Sequence, residues 1–319
     1  MGKFHVNNET GVSGKCRANL KCPFGLPLDE HYATEYEAQV AYEEKMKNQE
    51  ISSYQKVTVE QLRKISSEIL KKTSLKELNA AQLSQTLQNE AKDADMDNEV
   101  ISSAIDLASI LHSHQTRGNR GNFDKTPYIE HPLRNAVRLL RLKVKNQDVI
   151  VAAILHDTIE DGAQVFVKKF SETSAVTGEL EARAELGEYI KKSYGPKVLE
   201  LVEAVSNDYV ADTVKSKMSA EEKNRIYLEH VKKSIKGRPE VFLVKISDLV
   251  DNGTGLHNND IPSRREKTKK QAVKYLPVIH LFIKELEKNE FNLEPEVINN
   301  LMERMQITVV RLNKIISRV

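Results

Sequence analysis

The sequence predicts an all-α protein. Three observations lead there. Beyond residue 33 the apolar side chains recur at three- and four-residue spacing, as in Leu62, Ile65, Ile69 and Leu70 or in Val100, Ile101, Ala104, Leu107, Ala108 and Leu111. Proline stands where helices are expected to begin, at Pro132, Pro196, Pro262 and Pro295. Hydrophobic residues make up 39% and charged residues 29% of the 319, the balance of a helix-rich chain with solvated outer faces.

In chain order, residues 1–33 read as an irregular module, with Gly2, Gly11, Gly14, Pro23, Gly25 and Pro27 as turn residues. Cys16 and Cys22 could join His5 and His31 in a small zinc knot. The Cys-x5-Cys spacing is wider than the usual two to four residues, so the sequence favours reduced cysteines in a small loop-rich segment. Residues 34–95 form a helical region. Its helices are expected from Thr34 to about Asn48, from Thr58 through Leu62, Ile65, Ile69 and Leu70, and from Thr73-Ser74 through Leu75, Leu78, Leu83 and Leu87, with a break at Ile51–Tyr54. The charged stretch Glu90–Asp97 has no apolar stripe and marks a domain boundary, so residues 96–319 form the main domain. Within it, helices are expected over Asn98 to about Thr116, after Pro132, through Val149–Leu155, from Pro196 to Val205 and from Ser219 to Ile235. Two long C-terminal helices follow, Ile261 to about Asn289 and Pro295 to Ser317.

Composition excludes several roles. A net charge of +2 gives no polybasic character, so nucleic acid is not an expected partner. No apolar run approaches the roughly 20 residues that span a bilayer, so no membrane role is expected. The opening Met1–His5 lacks the apolar core of a signal peptide, and Asn7 stands where a myristoylation site requires Ser or Thr. Two cysteines are too few for a disulfide scaffold, and the cytoplasm is the expected compartment.

The chemistry concentrates where the apolar run Val149–Leu155 ends in His156-Asp157-Thr158-Ile159-Glu160-Asp161. Acids at a helix C-terminus oppose its macrodipole, so this cap is poorly placed for stability. His156 and Glu160 are four apart, as are Asp157 and Asp161, which on a continuous helix puts each pair on one face, roughly 5–6 Å apart. Upstream, His131 precedes Pro132 at the mouth of a helix. Downstream, Asp248 interrupts the apolar segment Val241–Asn252, where an acid is costly unless paired or bound to a cation. Two imidazoles and two carboxylates, His131, His156, Asp157 and Asp248, make a plausible divalent transition-metal site. His131 as a packed cap and Asp248 as a hydrogen-bonded core acid are the structural alternatives.

Five ordered blocks resemble the HD-domain phosphohydrolases, and more narrowly the hydrolase domain of the RelA/SpoT homologues, which degrade the alarmone (p)ppGpp. They are Leu111–Arg117, Pro127–Pro132, Leu155–Asp161, Tyr194–Ser206 and Lys245–Asn252, covering roughly residues 97–260. The resemblance implies an HD-domain helical bundle and a manganese ion held by His131, His156, Asp157 and Asp248, with iron or zinc left open by the ligands. It also implies release of pyrophosphate from the 3′ position of a guanosine nucleotide. Glu160 and Asp161 would then exchange protons with the attacking water and the leaving oxygen. Arg117 and Asn252 match nucleotide-contacting residues of the family, and Arg120 and Lys125 join them on charge alone. The chain departs from the pattern in three places. The loop 117–126 is longer, residues are inserted from Ser171 to about Glu181, and Asp248-Leu249-Val250-Asp251-Asn252-Gly253 replaces the usual Asp-Arg-Leu-His-Asn-Met. These departures keep other substrates open: an adenosine alarmone, the extra phosphate of NADPH, or nucleotide sensing without turnover, with residues 1–95 meeting a protein partner. The synthetase and regulatory domains of long RelA/SpoT proteins have no counterpart among these motifs.

Overall fold

The computed structural model of the chain describes residues 3–7, 11–16, 22, 26, 30–53, 58–118, 125–171, 178–290 and 293–318. The chain divides into two units, Met1–Ile65 and Ser66–Val319.

In the first unit, β1 (Lys3–Val6) and β2 (Ser13–Cys16) form an antiparallel hairpin in which Lys3 faces Cys16 and Val6 faces Ser13. Gly11, at φ 68°, supplies the left-handed turn between them. On the other side of β1, Phe4 and Tyr32 exchange two backbone hydrogen bonds of 2.8 Å. Where the sequence predicts only loop and turn, the chain therefore builds a small ribbon; its strands are four residues each, the shortest run in which alternation can be read, and Ser13-Gly14-Lys15-Cys16 has no apolar alternation. α1 (Glu35–Ser53) begins at Thr34, whose hydroxyl accepts from Glu37 N at 3.2 Å while the Glu37 carboxylate accepts from Thr34 N. The helix runs through Ile51–Ser53, where the sequence predicts a break; Tyr54 lies outside the described residues.

α2 (Val59–Lys72) opens with the same reciprocal cap between Thr58 and Gln61. Its expected core stripe is exposed, with Leu62 at 56%, Ile65 at 50% and Ile69 at 58%, and only Leu70 is buried. The next helix does not open at Thr73. The Thr73 hydroxyl turns back onto Ile69 O at 2.8 Å and helps end α2. α3 (Ala80–Asp93) starts instead at Asn79, which shares a capping box with Gln82. Leu83, Leu87 and Ala91 of α3 are fully buried and belong to the same core as the helices that follow. The boundary expected near residue 95 thus differs from the division at Ile65/Ser66.

α4 (Asn98–Leu111) is capped by Asp97 and stops short of the expected Thr116. There the chain turns at His112–Gln115 and forms β3 (Thr116–Arg117), paired with β4 (Thr126–Pro127). The functional core is α5 (Glu130–Arg141), α6 (Gln147–Leu155), α7 (Thr158–Asp161) and α8 (Ala163–Phe170), with α9 (Glu179–Tyr194) and α10 (Pro196–Val205) packed outside. Every residue of α6 from Val149 to Leu155 is buried. The fold needs glycine at 162: a Cβ there would stand 2.9 Å from Leu111 Cβ and from Thr158 O. α11 (Asp212–Lys215) and α12 (Ala220–Ile235, capped by Ser219) lead to α13 (Pro239–Leu249). α13 continues as a widened π turn at Val250–Thr254 and a 3₁₀ turn at Gly255–Asn259. α14 (Arg265–Lys288) and α15 (Pro295–Ile316) pack on each other and on these turns. The architecture is all-α, with two two-stranded ribbons as the only sheets among the described residues.

Candidate metal centre

The first turn of α5 delivers His131. Its Nδ1 lies 2.8 Å from Asp251 Oδ2. A carboxylate only accepts, so Nδ1 carries the proton and Nε2 presents its lone pair to the other side. That side holds Asp248 Oδ1 at 3.0 Å and Asp157 Oδ2 at 3.6 Å. The end of α6 delivers His156. Its Nδ1 is 3.0 Å from Ala153 O, which likewise leaves Nε2 facing inward, 3.0 Å from Asp157 Oδ2 and 3.7 Å from Asp248 Oδ1. His156 Nε2 is buried and makes no hydrogen bond of good geometry. Donor atoms of His131, His156 and Asp157 lie within 4.8 Å of one another, and Asp248 closes on both imidazoles. Asp157 also accepts the Tyr128 hydroxyl at 2.6 Å, and Asp248 accepts Asn252 Nδ2 at 2.7 Å. The four sequence-predicted ligands are therefore brought to one point.

The electrostatics of this point call for a cation. Burial pushes the Asp157 and Asp248 carboxyls up, but the two histidines outweigh it and hold both below the usual carboxylate range. For His156, burial opposes charge, yet Asp157 and Asp248 hold its proton and raise it to about 10. His131 is pushed down, by burial and then by Arg117. Two carboxylates thus share a buried site with one exchangeable positive charge. A divalent cation fits the same position by displacing that proton from Nε2. The donor set, imidazole nitrogen with carboxylate oxygen, suits a borderline first-row metal.

Behind His131 stands a buried ionic network. Asp251 is fully buried and receives Arg134 Nε at 2.9 Å, Arg138 Nη2 at 3.2 Å and Lys76 Nζ at 3.1 Å. Arg134 also reaches Glu130 at 3.3 Å, and Arg138 reaches Ser247 O at 2.9 Å. Such a network holds the imidazole's orientation and tautomer. The sequence pattern assigns Asp251, Arg134 and Arg138 no role. The available signal is that Arg134 and Arg138 stand four apart, one turn from each other, on the helix that carries His131. Lys245, which opens the Lys-x-x-Asp block, does not reach the centre; its buried ammonium donates to Val205 O and caps the end of α10.

The expected pairing of faces is altered, because the chain breaks at His156–Asp157 between α6 and α7. Glu160 is taken up by Asn207, whose N and Nδ2 lie 3.1 and 2.8 Å from Oε2. Asp161 is open to solvent on one side. Its carboxyl is raised to about 6 by the surrounding protein and then by Asp157 and Glu160. Both acids line a cavity of about 710 Å³ with Arg183, Lys223, Tyr227 and Lys274. Arg117, Lys125 and Asn252 line a second, of about 300 Å³, together with Arg264, Lys267 and Tyr275. Arg117 donates to Asn252 Oδ1 and lies over the Tyr128 ring at 5.1 Å. Arg120 lies outside the described residues.

Known proteins resemble this chain over the stretch that carries the centre. The chain is 29% identical over 184 residues to the guanosine-3′,5′-bis(diphosphate) 3′-pyrophosphohydrolase of Aquifex aeolicus (strain VF5), covering 57% of this chain and 21% of that protein. It is 26% identical over 157 residues to the enzyme of that name from Drosophila melanogaster, covering 49% of this chain and 68% of the relative. With the Homo sapiens enzyme it shares 29% over 151 residues, covering 47% of this chain and 65% of the relative. The chain thus spans about a fifth of the first relative and about two thirds of the other two. No helix among the described residues is long and apolar enough to cross a membrane. The HD domain pattern matches residues 104–275, more than half of the chain, from the middle of α4 to the first half of α14, and the chain belongs to the HD domain family.

Proposed function

We propose that the chain is a metal-dependent hydrolase that removes the 3′-pyrophosphate from (p)ppGpp-like nucleotides. One observation carries this reading: His131, His156, Asp157 and Asp248 converge beside two cavities lined with cations, in a chain whose relatives bear that activity in their names. We take those four residues to hold a divalent cation. Manganese is favoured over iron or zinc because two carboxylates harden the set. When bound, such a cation lowers the pKa of water and polarises a phosphoryl oxygen.

The protein's own groups do the rest. Water adds to the phosphorus attached to the 3′ oxygen, that O–P bond breaks, and the 3′ oxygen takes up a proton. Asp161 serves as the base that receives the water's proton, since a carboxyl near 6 is ionised at neutral pH yet returns a proton readily. Glu160, held by Asn207, forms the wall beside it. Arg117, Lys125 and Lys267 in the smaller cavity, and Arg183, Lys223 and Lys274 in the larger, offset the charge of the two phosphate groups. Asn252 links the two halves by bonding both Asp248 and Arg117. The departure at Asp251 favours no other substrate, because its side chain is buried against His131 and Arg134.

The test is release of pyrophosphate and GDP from ppGpp by the 319-residue chain with added Mn²⁺. Turnover is expected with wild type and none above background with Asp157→Ala. Unaltered ppGpp after incubation with ample enzyme and metal would sink the proposal. A parallel panel of ppApp and NADPH separates the guanosine alarmone from its neighbours.

A further inference from the structure

The first unit contains a second convergence of donors, and we propose that His5, Cys16, Cys22 and His31 form a structural zinc site. Ligating atoms of all four lie within 4.8 Å of one another. Cys22 Sγ is 3.7 Å from His5 Nδ1. Tetrahedral zinc with bonds of about 2.0–2.3 Å sets its donors roughly 3.3–3.8 Å apart, so the group needs only a small contraction. The two imidazoles are 5.2 Å apart at 85°, a crossed pair converging from two directions.

Backbone register explains the convergence. Lys3 pairs with Cys16, so Cys16 shares the face of Lys3 and of His5, two residues on. The antiparallel bridge of Phe4 to Tyr32 sets His31 opposite His5 on the other flank. Strand pairing thus gathers Cys16, His5 and His31, and Cys22 reaches the same point at His5 Nδ1, so the wide Cys-x5-Cys spacing ceases to be an objection.

Stability gives the independent reason. Among the described residues up to Ile65, only Val6 and Ala38 are buried hydrophobics. A unit with so little core needs a staple, and a metal or a disulfide are the usual ones. The cysteines are free. A Cys16–Cys22 bridge would use the sulfurs alone; zinc uses all four converging donors. With four protein donors the site is closed and structural.

Cys16 and Cys22 are the only cysteines of the chain, which makes the test selective. Cobalt substituted for zinc in the whole chain should show sulfur-to-cobalt charge-transfer absorption, which the thiol-free centre at His131 and His156 has no means to produce. Metal analysis should find one zinc that Cys16→Ser/Cys22→Ser loses and Asp157→Ala retains. His31→Cys should keep the metal and raise the charge-transfer band by roughly half, three thiolates for two; that gain separates ligation from mere loss of fold in the serine variant. A cobalt-loaded wild type without the band, zinc content unchanged by the serine pair, or a Cys16–Cys22 disulfide in protein purified without oxidant would each overturn the site.

Discussion

The centre at His131 and the cluster at His5 each gather four donors, but they are held in different ways. Around His131 every donor has a second partner inside the protein. Asp251 and Ala153 O tie the imidazoles, and Tyr128 and Asn252 tie the carboxylates. α6 and α5 are buried along most of their length. That centre is assembled by packing and by partners within the protein. Around His5 the donors are set by two four-residue strands and one bridge, with almost no core beneath. There the cation is proposed to contribute to the fold itself. A preorganised centre is suited to chemistry, and a cation-dependent one to stapling.

The largest effect that sharpens this contrast is at Asp161. Asp161→Asn should lower turnover about 10²–10⁴-fold if the carboxylate is the base. Wild-type activity should rise with pH through about 6, as the raised carboxyl loses its proton, and the variant should lose that limb. Burial and the carboxylates of Asp157 and Glu160 raise it, while His156 and Arg183 oppose the rise. The same shift has a stability sign: a carboxyl raised in the folded state favours folding at low pH, and the contribution fades as pH climbs through 6. A flat pH–rate profile across that pH would remove Asp161 from the role.

Next in size is Asp251→Asn, which keeps an acceptor for His131 but removes its charge. Mn²⁺ affinity should fall about 10–100-fold, the usual cost of losing such support to a ligand. Arg134 and Arg138 lose their buried counter-charge, and unfolding should become easier by about 3–5 kcal/mol. Metal titration and denaturant unfolding read the two effects separately. An unchanged metal affinity would show that packing alone orients His131. The smallest effect is expected from the other region: Cys16→Ser/Cys22→Ser should change turnover on ppGpp less than about twofold, while its zinc and cobalt signals vanish. A large activity loss in that variant would mean the two sites are coupled.

Much of this is legible in the chain. His156, Asp157 and Asp248 stand out because ligand-type residues at the end of or within apolar runs are costly without a purpose, and His131 stands out by its place before Pro132 at the mouth of a helix. Pro196, Ser219 and Pro295 mark helix starts where the structure has them. Other features are not legible. Thr73 has the residue type of a cap, but its hydroxyl turns back onto Ile69 O, and Asn79 makes the capping box that opens α3. Leu62, Ile65 and Ile69 have the spacing of a buried stripe and are exposed. Asp251 looks like a substitution in a substrate-contacting block, and its partners Arg134 and Arg138 are more than 100 residues away.

By itself the sequence determined the helical character of the protein and the kinds of donor available to each site. Helical periodicity and capping act within a few residues, so a local pattern is enough to specify them. Only the tertiary structure decided which donors meet, that Glu160 turns to Asn207 while Asp161 faces solvent, and that a buried carboxylate steadies His131. Those outcomes depend on how buried charges are shared between elements far apart in the chain, and a charge's cost or value is set by its surroundings.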